Sequence, residues 1–358
     1  MTKDGNKQRR NGGSVIESRE IEKQGHGMFE MTGFSPEFRD PEHYITSITY
    51  RIWEERGIER IREWYAPECV VRTPHGVTGN VDPVVKGTAD TLSEFPDRQL
   101  LPEEIIIGYK PRGFYSSHRV RSTATHLGGG MFGPATGKAI YMLTIADCLC
   151  VDNQITEEWL VRDQAAMALQ LGLDPVQFGY GLGKGSPERY AVSQEELEKR
   201  WAEPQGLSQG PLIIGDADTA RRLVSGYEAL WSGKDEAGVK KSRHRALRFE
   251  GPGGVVTYGR ERMVDVLAGI IQAIPKGVFR VQHVIVRQDE NRPVRGALRW
   301  SYSGRHRGIG RYGRATDVPL TILGLSHVEL RDNQVVNEWM LMDDLAVYAQ
   351  IAAWQSAG

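Results

Sequence analysis

Two matching runs carry the residue types that acid–base chemistry needs: Glu158-Trp159 followed by Asp163, and Glu338-Trp339 followed by Asp343. A carboxylate beside a tryptophan in an apolar pocket has a raised pKa, which suits it to moving protons near neutral pH. Both runs read as strands, where alternate side chains share a face. Trp159, Val161 and Asp163 therefore lie together, as do Trp339, Leu341 and Asp343. This parity predicts an inward face for the aspartates and tryptophans, and the opposite face for Glu158 and Glu338. The same aspartates also stand where the following helices need an N-cap, although Asp344 offers a substitute in the second run.

His126 and His306 end long strands and share a face with Val120 in one case and with Leu298, Trp300 and Tyr302 in the other. An inward imidazole there would position a carbonyl or shuttle a proton, or else bond the glycine-rich turn that follows it. Asp147 and His327 each sit in an apolar strand row, which makes each a pocket or rim group. The candidate catalytic residues are thus Asp163, His126, Asp343 and His306. The candidate substrate-binding residues are Trp159, Trp339, Asp147, His327, Tyr302 and Trp300. Arg72 and His75, near the end of the first strand, are weaker pocket candidates whose expected place is the surface. Cys148 and Cys150 share a strand face, but no second pair and no clustered histidines complete a metal site, so neither metal nor cofactor is expected. Gly183-Lys184 is no phosphate loop, because Phe178 and Gly185 stand where that motif needs glycine and Ser or Thr.

These residues must be placed by a repeated unit. Residues 126–172 align with 306–352 without a gap, and 15 of those 47 positions are identical, against roughly 3 by chance. Upstream, Trp53 matches Trp231, Pro96 matches Pro275 and Arg119 matches Arg299. Each copy runs helices first, then strands. Asp40-Pro41 and Asp82-Pro83 open helices in the first copy. Strands follow over 105–109, 115–126, 139–151 and 154–162, with a helix at 164–171 that Gly172 ends. The expected organisation is a disordered or extended tail at 1–34, a first domain at 35–174, a linker with one short helix at 175–215, and a second domain at 216–355.

The order Phe95-Pro96-Asp97, Thr125-His126-x-Gly, Phe132-Gly133-x-Ala135-Thr136-Gly137-Lys138, Glu158-Trp159, Asp163 and Gln170-Leu171-Gly172 resembles the SnoaL-like polyketide cyclases. These form a branch of the nuclear transport factor two-like superfamily, with the ketosteroid isomerases. The resemblance implies an α+β class: two tandem cone-shaped α+β barrel units, each with helices packed on a curved, mostly antiparallel sheet around an apolar pocket. It implies pairing through the sheets, so the tandem copies form an intrachain pseudo-dimer, and a further homodimer stays open. It also places the acid–base aspartate at Asp163. The second copy departs from the pattern, with Lys276 for Asp97 and Asp317-Val318 for Gly137-Lys138.

Composition sets the outer limits. The chain has 358 residues, 45 Lys plus Arg and 46 Asp plus Glu, for a net charge of -1. That balance gives no footprint for nucleic acid or an anionic membrane. Three cysteines exclude a disulfide framework and fit a cytoplasmic setting. The leading expectation is a cofactor-independent lyase, isomerase or cyclase using proton transfer on a small, largely apolar metabolite. The alternatives are a non-catalytic small-molecule-binding or assembly module, and a hydrolase that activates water with the pocket carboxylate. The first copy is expected to carry the chemistry.

Overall fold

The computed structural model describes residues 19–21, 30–202 and 210–357. Of the expected tail, residues 1–18 and 22–29 lie outside the described residues, while Arg19–Ile21 forms strand β1. In the first unit Asp40 caps α1 (Pro41–Trp53) by accepting the His43 N–H at 2.7 Å. Tyr44, Ile45, Ile48 and Ile52 make the helix's buried stripe, at the spacing an amphipathic helix needs. A 3-10 turn and α2 (Ile61–Trp64) lead into β2 (Tyr65–Thr73), β3 (Gly76–Thr78) and α3 (Asp82–Glu94). At Asp82-Pro83 the cap position falls on Val81, and the Asp82 carboxylate instead pairs with Arg62 at 2.6 Å. Strands β4 (Gln99–Tyr109), β5 (Phe114–Thr125), β6 (Ala139–Val151) and β7 (Gln154–Arg162) follow, then α4 (Gln164–Leu171). The first sheet has the order β3-β2-β7-β6-β5-β4 and is antiparallel apart from the β2–β7 pair.

Among its described residues the connecting segment holds three helices rather than the expected one: α5 (Pro175–Gly185), α6 (Pro187–Tyr190) and α7 (Gln194–Trp201). Strand β8 (Leu212–Ile214) follows them. The second unit repeats the plan with α8 (Ala217–Ser232), α9 (Glu236–Ser242), β9 (Arg243–Gly251), β10 (Val255–Tyr258) and α10 (Arg260–Ala273). It continues with β11 (Val278–Arg287), β12 (Val294–Arg305), β13 (Pro319–Arg331), β14 (Gln334–Leu341) and α11 (Asp344–Ala357). Its sheet, β1-β8-β11-β12-β13-β14-β9-β10, gains β8 and β1 as parallel edge strands. The glycine-rich run read as linker is helical because α5 lies hard against α11. A Cβ at Gly179 would stand 2.6 Å from the Tyr348 Cβ, and one at Gly183 would stand 2.1 Å from the Ala349 carbonyl oxygen.

The two sheets pack face to face, with each unit's helices on the outside. Ile106, Tyr115, Leu143, Ile145, Trp159 and Val161 of the first sheet meet Ile285, Ala297, Leu323, Leu325 and Leu341 of the second. Tyr44, Ile48, Ile107, Ala146, Cys148 and Cys150 belong to the separate core between the first sheet and its helices. The thiols are core residues. Among the described residues no helix is long and apolar enough to cross a membrane.

Candidate functional site

A cavity of about 1030 Å³ opens between α1, α3 and the helix-facing side of the first sheet. Ile45, Ile48, Ile52 and Trp53 of α1 give it an apolar wall. The strands contribute the polar groups. Glu158 on β7 lies within it, and the Tyr65 hydroxyl at the start of β2 donates to the Glu158 carboxylate at 3.2 Å. Burial pushes the Glu158 carboxyl above the usual range, against the Arg162 charge and the Tyr65 hydrogen bond. Burial, with the Glu158 charge adding to it, holds the Tyr65 phenol well above its normal range. His118 is pushed down to about 4 by burial, so its ring is neutral at physiological pH. Arg98 donates to the Ser122 hydroxyl at 3.0 and 3.3 Å and lies 4.5 Å above the Trp53 ring.

Strand pairing puts these groups on one surface. His118 faces Ala146 across β5–β6, Ser122 faces Met142, and Thr144 faces Arg162 across β6–β7. The buried atoms His118 Nδ1, Thr144 Oγ1 and Arg162 Nε have no hydrogen-bond partner among the described residues. Buried polar atoms are usually paired, and orphans that line one cavity mark a place for a polar ligand.

The strand parity is the reverse of the sequence expectation. Trp159 and Trp339 face the layer between the sheets, not a pocket, and so do Asp147 and His327. Arg299 lies 3.4 Å over the Trp159 ring and Arg119 lies 3.6 Å over the Trp339 ring, a reciprocal pair across the interface. Asp147 accepts from Arg299 at 2.7 Å and is bonded to His283 Nδ1 at 2.8 Å. His327 is bonded to the Ser117 hydroxyl at 2.9 Å. Glu158 and Glu338, expected at the contact, face the helices instead. Both sheet faces are covered, so both carry apolar rows, and alternation alone does not say which row faces the pocket.

The four expected acid–base residues hold loops and helices. Asp163 caps α4 by accepting the Ala166 N–H at 3.0 Å, and its other oxygen accepts the Gly254 N–H of the second unit at 2.8 Å. Asp343 accepts the Leu345 N–H at 3.1 Å and meets His75 Nε2 of the first unit at 2.7 Å, and this pair also borders the first unit's cavity. His75 is also bonded to the Tyr190 hydroxyl at 2.9 Å. Both His75 and Arg72 are buried rather than at the surface, with Arg72 bonding Glu157 and the Arg200 carbonyl. His126 bonds Thr136 at 3.1 Å and lies 3.2 Å from Glu94, whose carboxylate accepts the Met131 and Phe132 N–H groups. His306 bonds Thr316 at 2.9 Å. Each histidine thus pins the glycine-rich loop that follows it. Asp97 and Lys138, counted among the active-looking motifs, bond Thr125 and the Leu171 carbonyl.

Trp300 and Tyr302 do face inward, but they fill the second unit instead of lining a pocket. Trp231, Phe279, Trp300 and Tyr302 stack with ring centroids 4.7 to 5.6 Å apart. Trp300 donates to Ser326 at 2.9 Å and Tyr302 to the Ile274 carbonyl at 2.9 Å. Glu338 is bound by Arg243 at 2.8 and 3.1 Å. Arg243 stands at the start of β9, where the first unit has Tyr65 at the start of β2. Sequence reasoning missed Tyr65, Arg98, His118, Thr144 and Arg162. A signal was present: Leu298, Gly324 and Met342 replace His118, Thr144 and Arg162 at the repeat spacing. Among the described residues no group of three or more His, Cys, Asp or Glu side chains is placed to hold a metal.

A sequence model for the SnoaL-like polyketide cyclases matches residues 45–171 and again 221–351. The chain belongs to that family. Both SnoaL-like units are thereby accounted for, and the family points to cyclase- or isomerase-type activity. Among solved structures, the chain is similar to IdmH of Streptomyces antibioticus, a candidate polyketide cyclase. Identity is 23%, covering 37% of this chain and 99% of that one, with a TM-score of 0.33. It is also similar to a SnoaL-like cyclase candidate from Jannaschia sp. CCS1, at 15% identity over 41% and 99% of the chains, TM-score 0.34. AclR of Streptomyces galilaeus, a candidate hydroxylase, matches at 18% over 38% and 82%, TM-score 0.33. No curated protein matches this chain significantly.

Proposed function

We propose that the first SnoaL-like unit is the working site, catalysing a cofactor-independent proton transfer of the cyclase or isomerase type on a small organic metabolite. Glu158 moves the proton. One observation carries the reading: a buried carboxyl with a raised pKa lines the cavity and, among the described residues, is hydrogen-bonded by the Tyr65 hydroxyl. A carboxyl raised by burial is a stronger base than an ordinary one, which favours proton abstraction beside a carbonyl. Tyr65, kept un-ionised, donates a hydrogen bond to Glu158 and holds its orientation. His118, kept neutral, is able to donate from a ring nitrogen to the oxygen on which negative charge develops. The apolar wall of α1 excludes water and sharpens these interactions. The buried, unpaired thiols support a cytoplasmic location.

The test is a screen of enolisable β-dicarbonyl and polyketide-like compounds, followed by NMR for solvent deuterium uptake or ring closure. On a compound that turns over, Glu158→Gln should lower kcat by roughly a hundredfold or more. Asp163→Asn should have a much smaller effect. A Glu158→Gln enzyme with unchanged turnover would remove the proposal. Release of a hydrolysed product instead of an isomer would move the carboxyl's role to water activation.

A further inference from the structure

Two arginines on the wall of the first cavity have no carboxylate bonded to them among the described residues. Arg98 and Arg162 line it together with Glu158, while the other carboxylates on the wall are engaged elsewhere: Asp90 by Lys86, Glu94 by His126 and the Met131 and Phe132 N–H groups, and Asp343 by His75. The Arg98 side chain bonds a neutral hydroxyl, Ser122, and Arg162 Nε has no partner at all among the described residues. Buried guanidinium groups are ordinarily held by carboxylates in paired geometry, because leaving one unpaired is expensive. Arg98 is pushed down to about 9 by burial and by the Arg162 charge, which the Glu54 carboxylate only partly opposes. The same fold forms without counterparts of either arginine. The second unit keeps the same architecture with Gly277, Tyr302, Gly324 and Met342 where the first has Arg98, Ser122, Thr144 and Arg162. There, a Cβ at Gly277 would stand 2.3 Å from the Tyr302 ring, so the phenol occupies the space of the missing arginine.

We infer that Arg98 and Arg162 form an anion subsite that holds the carboxylate of an aromatic or polycyclic organic acid in the first unit's cavity. The planar guanidinium forks match a carboxylate's two oxygens, and the orphaned Thr144 hydroxyl beside Arg162 supplies a further donor. Arg98 is pre-oriented by its contacts with Ser122 and the Trp53 face, so little side-chain freedom remains to be lost on binding. The ligand's ring system lies along the isoleucine wall of α1. This inference rests on the reading of this cavity as the working site, but not on the proton step itself.

Calorimetric titration of the full chain at neutral pH with 2-naphthoate, neutral 2-naphthalenemethanol and cationic 2-naphthylmethylammonium tests it. The naphthoate should bind roughly tenfold or more tightly than the alcohol, and the ammonium weakest. Arg98→Met and Arg162→Met should each weaken naphthoate about fivefold or more while leaving the alcohol within about twofold, which certifies the fold. Equal or tighter binding of the alcohol or ammonium would overturn the subsite. So would no binding of naphthoate in the millimolar range, or unchanged affinity in both methionine variants. Glu158→Gln separates the two proposals, because it should leave naphthoate binding intact or strengthened while lowering kcat by roughly a hundredfold or more. A carboxylate preference in an enzyme indifferent to Glu158 would keep the subsite and lose the proton step, and the converse would do the reverse.

Discussion

Asp163 and Asp343 each use one oxygen at the start of a helix and send the other across to the opposite unit, to Gly254 and to His75. For Asp163 this position has an electrostatic consequence. Burial raises its carboxyl to about 7, with the charges of Asp343 and Asp344 adding to it and the Ala166 and Gly254 hydrogen bonds opposing it. The folded pKa is thus above the unfolded one. Such a group contributes stability that is full below pH of about 4 and is lost as pH rises towards about 7, with a slope of at most about 1.4 kcal/mol per pH unit. Thermal melts between these limits should show the wild type losing stability with rising pH. Asp163→Asn should start lower, because it loses an acceptor, and should fall less steeply. Parallel slopes in the two proteins would contradict this account.

At the scale of elements, the two units show how one strand plan either keeps or closes a pocket. Gly324 stands where the first unit has Thr144, and a Cβ there would lie 2.1 Å from Trp300 Cζ2. Gly324→Thr, which only restores the first unit's residue, should therefore destabilise the protein by about 1–3 kcal/mol or more through overpacking. Adding Trp300→Val, the residue type of Val120, should recover part of that loss, so the two changes are non-additive. Urea unfolding measures both, and an unaffected Gly324→Thr would mean that the aromatic cluster does not fill this space. The same pairing explains what the sequence discloses. The repeat and the order of helices and strands are legible, because apolar period and the ungapped 306–352 match specify them, whereas the sheet-to-sheet packing is implied by the family resemblance. The pocket is not, because Trp159 and Glu158 sit in adjacent rows that are both buried, and parity needs an outside reference to tell pocket from interface. The difference columns His118/Leu298 and Arg162/Met342 are such a reference, since a pocket loses its polar groups when it closes.

In the whole molecule, the interface between the sheets stiffens the wall from which the first cavity is built. Strand β6 sends Thr144 and Ala146 into the cavity and Ile145 and Asp147 into the contact. The contact is nearly two-fold symmetric in its Arg-on-Trp pairs, but not at its centre, where Asp147 corresponds to His327. Burial raises the Asp147 carboxyl, yet His283 and Arg299 outweigh it and hold the group below its usual range. Its contribution to stability is therefore present above a pH of about 4 and lost as pH falls through the lowered value. His327 is the opposite case, an imidazole kept neutral by burial and by the Arg119 charge. Removing the two should then differ in kind. Asp147→Ala takes a buried carboxylate away from both Arg299 and His283 and should cost about 3–5 kcal/mol. His327→Leu removes the hydrogen bond to Ser117 and a long one from Arg119, and should cost about 1–2 kcal/mol. Urea unfolding followed by tryptophan fluorescence gives both values, since Trp159 and Trp339 lie in the same layer. Equal losses would show that the charge at the centre of the contact carries no special share of the assembly's stability.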